Sequence, residues 1–379
     1  MIETWGFYIF GLRKELTDAG LNTTEEYQRV YSRYLDLWTR CEGWGFDGLT
    51  FAEHHFNPAT VSPSVNLLVA SVAARTSTLK LTTLGAVLPL NDARRYAEEC
   101  GMLQYLSNGR FEPGIAPGAG VFELVAVGIP PEQARPRYYS AADLLDKALK
   151  GGPITHKDEF YGVDGVTLEP PIRLRPDQAV WVTVLSPDSA AWAAERGYRM
   201  CTAWSKTEVA AAVAGRYYEA ADAAGRKVDP SMLGLRRRVF VADSDAQAQE
   251  LAEEAGDLVQ THAGTAFESL DPAIFKMLMD PDDYAIGSPE TVAERLIEQC
   301  RAGGFGHIVC FADFGNFEEK DLFRSHELIG TKVAPILHKA EVKGGKREAV
   351  SKVDAHGFDA AHSAAINPAR LKKKDEVSQ

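Results

Sequence analysis

No two cysteines of this chain stand at the spacing that a zinc knuckle or a redox pair requires. The five present, Cys41, Cys100, Cys201, Cys300 and Cys310, are scattered and odd in number. They read as reduced thiols of a cytoplasmic protein. Positive charge is also short. A formal net charge of −12 repels nucleic-acid phosphates and anionic lipid, so neither is an expected partner. No apolar run approaches the roughly 18 residues that a membrane helix needs. The opening "MIETWGFYIFGLRKEL" has an acid at position 3 and only a short apolar run, so it does not read as a signal peptide. A GxGxxG turn after an early strand is missing as well, which argues against an open dinucleotide-binding sheet. "PGIAPGAG" (113–120) is glycine-rich but lacks that spacing.

What remains is ordinary globular material: 379 residues, 45% hydrophobic and 25% charged, enough for a large core. Short apolar runs alternate with helical patterns. The strand candidates are "WGFYIF" (5–10), "GLTFA" (48–52), "LKLTTLGAVL" (79–88), "RFEPGI" (110–115), "AVWVTVL" (179–185), "RMCTAW" (199–204), "LGLRRRVFVA" (233–242) and "HIVCFA" (307–312). Helical periodicity follows each. A helix over 140–150 and a hairpin within "FYGVDGVTLEPPIRL" are expected after the fourth strand, two helical stretches over 245–303 after the seventh, and a last helix over 317–339. Each crossover returns the chain in the same direction, so the sheet is parallel. Eight such units predict an α/β fold, a (βα)8 TIM barrel with insertions after strands 4 and 7. The barrel spans 1–340. Residues 341–379 are polar, with little periodicity, and read as a flexible C-terminal tail.

Active sites of such barrels lie at the C-terminal ends of the strands. "GLTFAEHHF" (48–56) places Glu53, His54 and His55 there. Strand alternation puts His54 on one face and its neighbours on the other. An imidazole at the mouth suits proton transfer near neutral pH. Both histidines can equally be structural, bonding to loop carbonyls. A shared metal fits poorly, because adjacent histidines do not easily share one ion and no third ligand is suitably spaced. "SPDSAAWAAERG" after the fifth strand offers Ser186 as N-cap and Ser189 in the first turn, a ready phosphate seat. The same start recurs in "VSPSVNLL" (61–68) and "GSPETVAERL" (287–296), so only its place after a strand distinguishes this copy. Thr83, Leu84 and Gly85 end the third strand with small residues against which a flat ring could lie, although close packing explains them too. Trp204 can pack a ring or belong to the core.

In order and spacing, "GFDGLTFAEHHF", "LKLTTLGAVLPL", "AEECGMLQYLSNGRFEPGI" and "SPDSAAWAAERG" resemble the bacterial luciferase-like flavin-dependent monooxygenases, over about residues 1–340. The resemblance implies a dimeric barrel, here a homodimer, that binds reduced FMN at its mouth. Flavin and dioxygen would give a flavin peroxide that oxygenates a small organic substrate, with reduced flavin supplied by a separate reductase. It implies that His54 is the acid/base beside the flavin and His55 its structural neighbour. Ser186 and Ser189 would hold the phosphate, Leu84–Gly85 would be a cis peptide, and Trp204 would lie near the ring. Asp47 and Glu53 would be structural. The chain departs from the luciferases where they carry a cysteine and then a phosphate-binding arginine; here Ala116 and Pro117 stand. Asn91, Asp92 and Ala93 replace a frequent His-Asp-Pro. A deazaflavin-dependent, hydride-transferring oxidoreductase is the rival reading, and a non-catalytic flavin-binding partner subunit the third. Phe267, Phe275, Met277, Met279 and Tyr284 hint at an apolar substrate.

Overall fold

Eight parallel strands pair in chain order, and the last pairs with the first. In this computed structural model, which describes residues 1–118, 121–257 and 279–345, they are β1 (Glu3–Tyr8), β2 (Gly48–Phe51), β3 (Lys80–Thr83, then Ala86–Val87), β4 (Phe111–Glu112, then Gly114–Ala116), β5 (Trp181–Thr183), β6 (Arg199–Thr202), β7 (Leu233–Val241) and β8 (His307–Phe311). Gly6 pairs with Leu49 and with Cys310, so β1 sits between β2 and β8 and closes the ring. The strands are buried on both faces. That is why they read as continuous apolar runs rather than alternating ones.

Two strands are broken and still pair. β3 is interrupted at the Leu84–Gly85 peptide, which is cis. β4 is interrupted at Pro113, which has no N–H to donate. Leu81 nonetheless pairs with Phe111, and Ala86 with Ile115. Glycine is required at both breaks. A Cβ on Gly114 would lie 1.8 Å from the Thr83 carbonyl oxygen, and one on Gly85 would lie 2.6 Å from the Ile115 carbonyl carbon.

Inside the barrel, large and small residues interlock. The rings of Trp5, Trp181 and His307 meet at 5.1–6.0 Å between centroids. Gly48 and Gly234 leave the room: a Cβ would sit 2.5 Å from the Trp5 indole and 3.1 Å from that of Trp181. Glu112 and Arg199 form a buried ion pair beside them, and Arg199 also lies over the Trp181 ring.

The helices form an outer ring: α1 (Lys14–Asp18), α2 (Thr24–Trp44), α3 (Val65–Ala73), α4 (Ala93–Leu106), α5 (Val121–Ala126), α6 (Pro131–Lys150), α7 (Pro187–Arg196), α8 (Thr207–Ala223), α9 (Asp245–Ala255), α10 (Pro289–Gly303), α11 (Glu319–Leu328) and α12 (Ala334–Lys339). Their ends follow local chemistry. Thr23 accepts from the Glu26 N–H at the start of α2, and Gly45, at φ 99°, ends it. Only glycine takes that left-handed conformation cheaply.

Several expectations shift. The helix expected over 140–150 begins at Pro131. The hairpin lies earlier than expected, Ile154–Lys157 against Gly162–Val166. Ile154 and His156 face inward there while Thr155 and Lys157 face out, and Pro170 and Pro171 keep the next stretch out of a ladder. A strand over Tyr284–Gly287, parallel to the far half of β7, interrupts the helices expected over 245–303. The helix over 317–339 contains a π-helical turn at Ile329–Val333, where a Cβ on Gly330 would lie 2.6 Å from the Trp44 carbonyl oxygen. Residues 346–379, most of the expected tail, lie outside the described residues.

Candidate active site

β2 sets the geometry. Phe51 turns outward onto Tyr8 and onto Trp38 of α2, at 6.0 and 4.9 Å between ring centroids. Thr50 therefore faces the barrel, and Ala52 and His54 follow just beyond the end of the strand. The loop that follows folds back on itself: Ser62 Oγ donates to the Ala52 carbonyl at 2.7 Å, and the His54 N–H donates to the Ser62 carbonyl at 3.4 Å.

Glu53 is buried and joins three segments. It accepts from the Val87 N–H at 3.2 Å, from Asn91 Nδ2 at 3.0 Å and from His55 Nε2 at 2.9 Å. The end of β2 is thereby tied to the end of β3. Its hydrogen bond holds the His55 imidazole above the ordinary histidine range. Asn91 is thus a structural amide here. Asp47 has a similar duty at the opposite end of the strand, accepting from the Thr4 N–H and from His338 Nε2.

His54 is held by a residue that the linear pattern did not single out. Its Nδ1 donates to Glu123 Oε1 at 3.1 Å, and the same oxygen accepts from the His55 N–H at 2.9 Å. Burial pushes the Glu123 carboxyl up, but these donors outweigh it and hold the group below its ordinary range. With Nδ1–H engaged, the neutral ring presents its other nitrogen, Nε2, as an acceptor. Phe56 and Phe122 stand on the rim beside this pair, both exposed, with ring centroids 6.5 Å apart.

The other expected site residues are spread around the barrel. Thr83 is fully buried and its hydroxyl donates to the Gly114 carbonyl, so it braces the break between β3 and β4. Leu84 and Gly85 form that break. Ser186 caps α7, accepting from the Ser189 N–H at 3.3 Å, and the two hydroxyl oxygens are 2.7 Å apart. Ser189 opens onto a narrow cleft between α6 and α7, lined also by Pro117, Arg135, Tyr138, Thr183 and Trp192. No carboxylate is among the described residues lining it. Pro117 stands at the position where the resemblance to luciferases expects a phosphate-binding arginine, and Arg135 brings a guanidinium to the same cleft from α6. Sequence spacing gave no signal for Glu123 or Arg135, because both reach the site across the insertion after β4. Trp204 lies beneath two guanidinium groups, those of Arg236 and Arg238, with their carbons 3.7 and 4.6 Å from its ring centroid. Phe267, Phe275 and Met277 lie outside the described residues. Tyr284 donates to Asp257. Among the described residues, no three His, Cys, Asp or Glu side chains converge as a metal site, and no helix is long and apolar enough to cross a membrane.

A barrel with a histidine held at the end of β2 and a hydroxyl-lined cleft at the start of α7 defines a class. The profile of the luciferase-like monooxygenases matches residues 16–307, and the chain belongs to that family. It is 30% identical to protein y4wF of Sinorhizobium fredii, over 81% of this chain and 91% of that one. It is 27% identical to the oxygenase component of the flavin-dependent trigonelline monooxygenase of Acinetobacter baylyi, over 83% and 92%. Among solved structures, the monooxygenase RslO1 of Streptomyces bottropensis superposes with a TM-score of 0.76 at 19% identity, over 88% and 99%. The oxygenating constituent of 3,6-diketocamphane monooxygenase of Pseudomonas putida, in complex with FMN, gives 0.73 at 21%, over 88% and 99%. An F420-dependent secondary alcohol dehydrogenase gives 0.66 at 15%, over 89% and 99%.

The raised His55 group makes stability depend on pH. Its charged form favours the folded chain, so its contribution is complete below the unfolded value of about 6.5 and is lost as pH rises through the higher folded value. In urea titrations, the stability gap between the wild-type chain and Glu53→Gln is expected to narrow from about pH 6.5 upward. A gap that widens over that range would remove His55 as the cause.

Proposed function

We propose that this protein is the oxygenase component of a two-component flavin-dependent monooxygenase, using reduced FMN and dioxygen to oxygenate a small organic substrate. The observation that carries the reading is the His54–Glu123 pair at the end of β2. It fixes one ring nitrogen as a donor and leaves the other free to move a proton at the barrel mouth. Reduced FMN, when bound, supplies the electrons with which dioxygen is activated. The chain's own part is to seat it, position the substrate, limit water and handle protons. The Ser189–Arg135 cleft offers donors and no carboxylate, which matches a phosphate. The exposed rings of Phe56 and Phe122 give the entrance an apolar rim, suited to the apolar body of a substrate. The trigonelline relative's description as an oxygenase component supports a separate reductase.

A deazaflavin cofactor is the second reading, supported by the F420-dependent dehydrogenase of the same fold. Anaerobic titration with reduced FMN and with reduced deazaflavin, followed by admission of dioxygen, separates the two. Tight FMN binding with oxygen consumption is expected. Tight binding of the deazaflavin alone overturns the oxygenase reading, and flavin binding without reaction with oxygen favours a non-catalytic partner. His54→Ala is expected to fold and bind FMN as the wild-type chain does, while product formation falls by roughly 10²–10⁴. Unchanged turnover in that variant would remove His54 from the chemistry.

Arg135 gives an independent check on the phosphate. Arg135→Ala is expected to weaken reduced FMN by about tenfold and reduced riboflavin, which has no phosphate, hardly at all. Equal losses for both would place Arg135 elsewhere in the site.

The chain also carries an apolar face suited to a homodimer. Leu67 of α3 and Met102, Tyr105 and Leu106 of α4 are at least half exposed, and contiguous apolar patches mark association surfaces. Sedimentation is expected to give a dimer for the wild-type chain and a monomer for the double variant Leu67→Glu, Leu106→Glu. A wild-type monomer at micromolar concentration would dismiss this interface.

A further inference from the structure

β7 carries three successive arginines, and all three are buried. Two of them donate hydrogen bonds to neighbouring side chains. Arg237 turns outward: its Nε donates to Gln299 Oε1 at 3.1 Å, Nη2 to Thr207 Oγ1 at 3.3 Å and Nη1 to the Arg236 carbonyl at 3.1 Å. Arg238 pairs with Asp283 and with Asp257. Arg236 differs. It shares a face with Gly234, whose missing side chain makes room for Trp181, so it points into the barrel. Its guanidinium carbon lies 3.7 Å from the centroid of Trp204 and 5.7 Å from that of Phe311. None of its three nitrogens has a hydrogen-bond acceptor among the described residues. The nearest charge, Asp283 Oδ2, is 3.1 Å from Nη2 but outside hydrogen-bonding geometry, and that oxygen already accepts from Arg238.

A guanidinium taken wholly from water without acceptors is costly, and buried charges are ordinarily paired. Stacking on the indole offsets part of that cost but fills no N–H. Burial lowers the group to about 10, so it remains a cation at neutral pH. Trp204 is itself held in place: its φ of 60° is unusual for a bulky residue and persists only where the surroundings fix it. The planar fork on its aromatic platform suits bidentate recognition of a carboxylate.

We propose that Arg236, seated on Trp204 inside the barrel, is the recognition group for a carboxylate carried by the organic substrate. This rests on the monooxygenase reading only for the identity of the pocket. The substrate is then amphipathic, with an apolar body suited to Phe56 and Phe122 and an anionic group on Arg236. The cofactor's phosphate has its own donors in the cleft between α6 and α7. Its ring, negatively charged when reduced, is the other anion that could reach this guanidinium, and the test separates the two.

The full chain is titrated calorimetrically, without flavin and with reduced FMN under anaerobic conditions, using matched pairs of probes: benzoate with benzamide, and hexanoate with hexanamide. The wild-type chain is expected to prefer at least one carboxylate over its amide by roughly tenfold or more. Arg236→Met removes that preference and leaves amide binding and reduced-FMN affinity within about twofold, and Arg236→Lys restores part of it. Thermal unfolding of each variant checks folding, and the wild-type comparison stands without any variant. No carboxylate preference in the wild-type chain overturns the proposal. So does an Arg236→Met variant that loses tenfold in reduced-FMN affinity while keeping the preference, since the anion is then the cofactor's. An intact preference in a chain that binds no flavin sinks the oxygenase reading alone and leaves this one standing.

Discussion

Between β3 and β4, two backbones run against each other with no room for one added carbon. A Cβ at Gly114 would overlap the Thr83 carbonyl, and one at Gly85 would overlap Ile115. The ring closes through this contact, because both strands are broken and must still pair on each side of the break. Thr83 and Tyr96 both donate to the Gly114 carbonyl and brace it from the helix side. The site depends on the same contact. The far half of β3 presents the Val87 N–H and leads to the Asn91 amide, and both bind Glu53. Glu53 then fixes the turn that carries the two histidines.

The doubled histidine divides its labour by charge pairing. His55 belongs to Glu53, inside the wall, and His54 belongs to Glu123, on the insertion after β4. One carboxylate comes from the strand and the other from a short helix nearly seventy residues on. The first makes the turn rigid. The second sets the tautomer of His54. Across the barrel, the arginines of β7 show the same division. Neighbouring side chains point to opposite faces, so one run of identical residues yields a structural guanidinium on the outside and, within, one that has no hydrogen-bond acceptor among the described residues.

Much of this was legible in the order of residues. Strands buried on both faces appear as short apolar runs, and caps such as Thr23, Ser186 and Ser288 with glycines such as Gly45 and Gly197 mark helix ends. Where the reading slipped, the signal was local and weak. Tyr284–Gly287 is four residues long beside an aspartate-rich turn, and it is a strand only because β7 extends beyond β8 and offers a free edge there. The hairpin moved because Ile154 and His156 alternate with exposed residues ahead of the paired prolines. "EHHF" marked the candidate site, but nothing near it announced Glu123, and nothing near "SPDS" announced Arg135.

The sequence by itself determined the fold class, the family and the placing of His54, because periodicity, caps and ordered motifs are properties of neighbouring residues. Only the tertiary structure decided which partner each histidine takes, which guanidinium stands beside Ser189 and which of three successive arginines has no hydrogen-bond acceptor among the described residues. Those outcomes depend on ring closure and strand register. They bring together side chains far apart in the chain, and no local pattern encodes that distance.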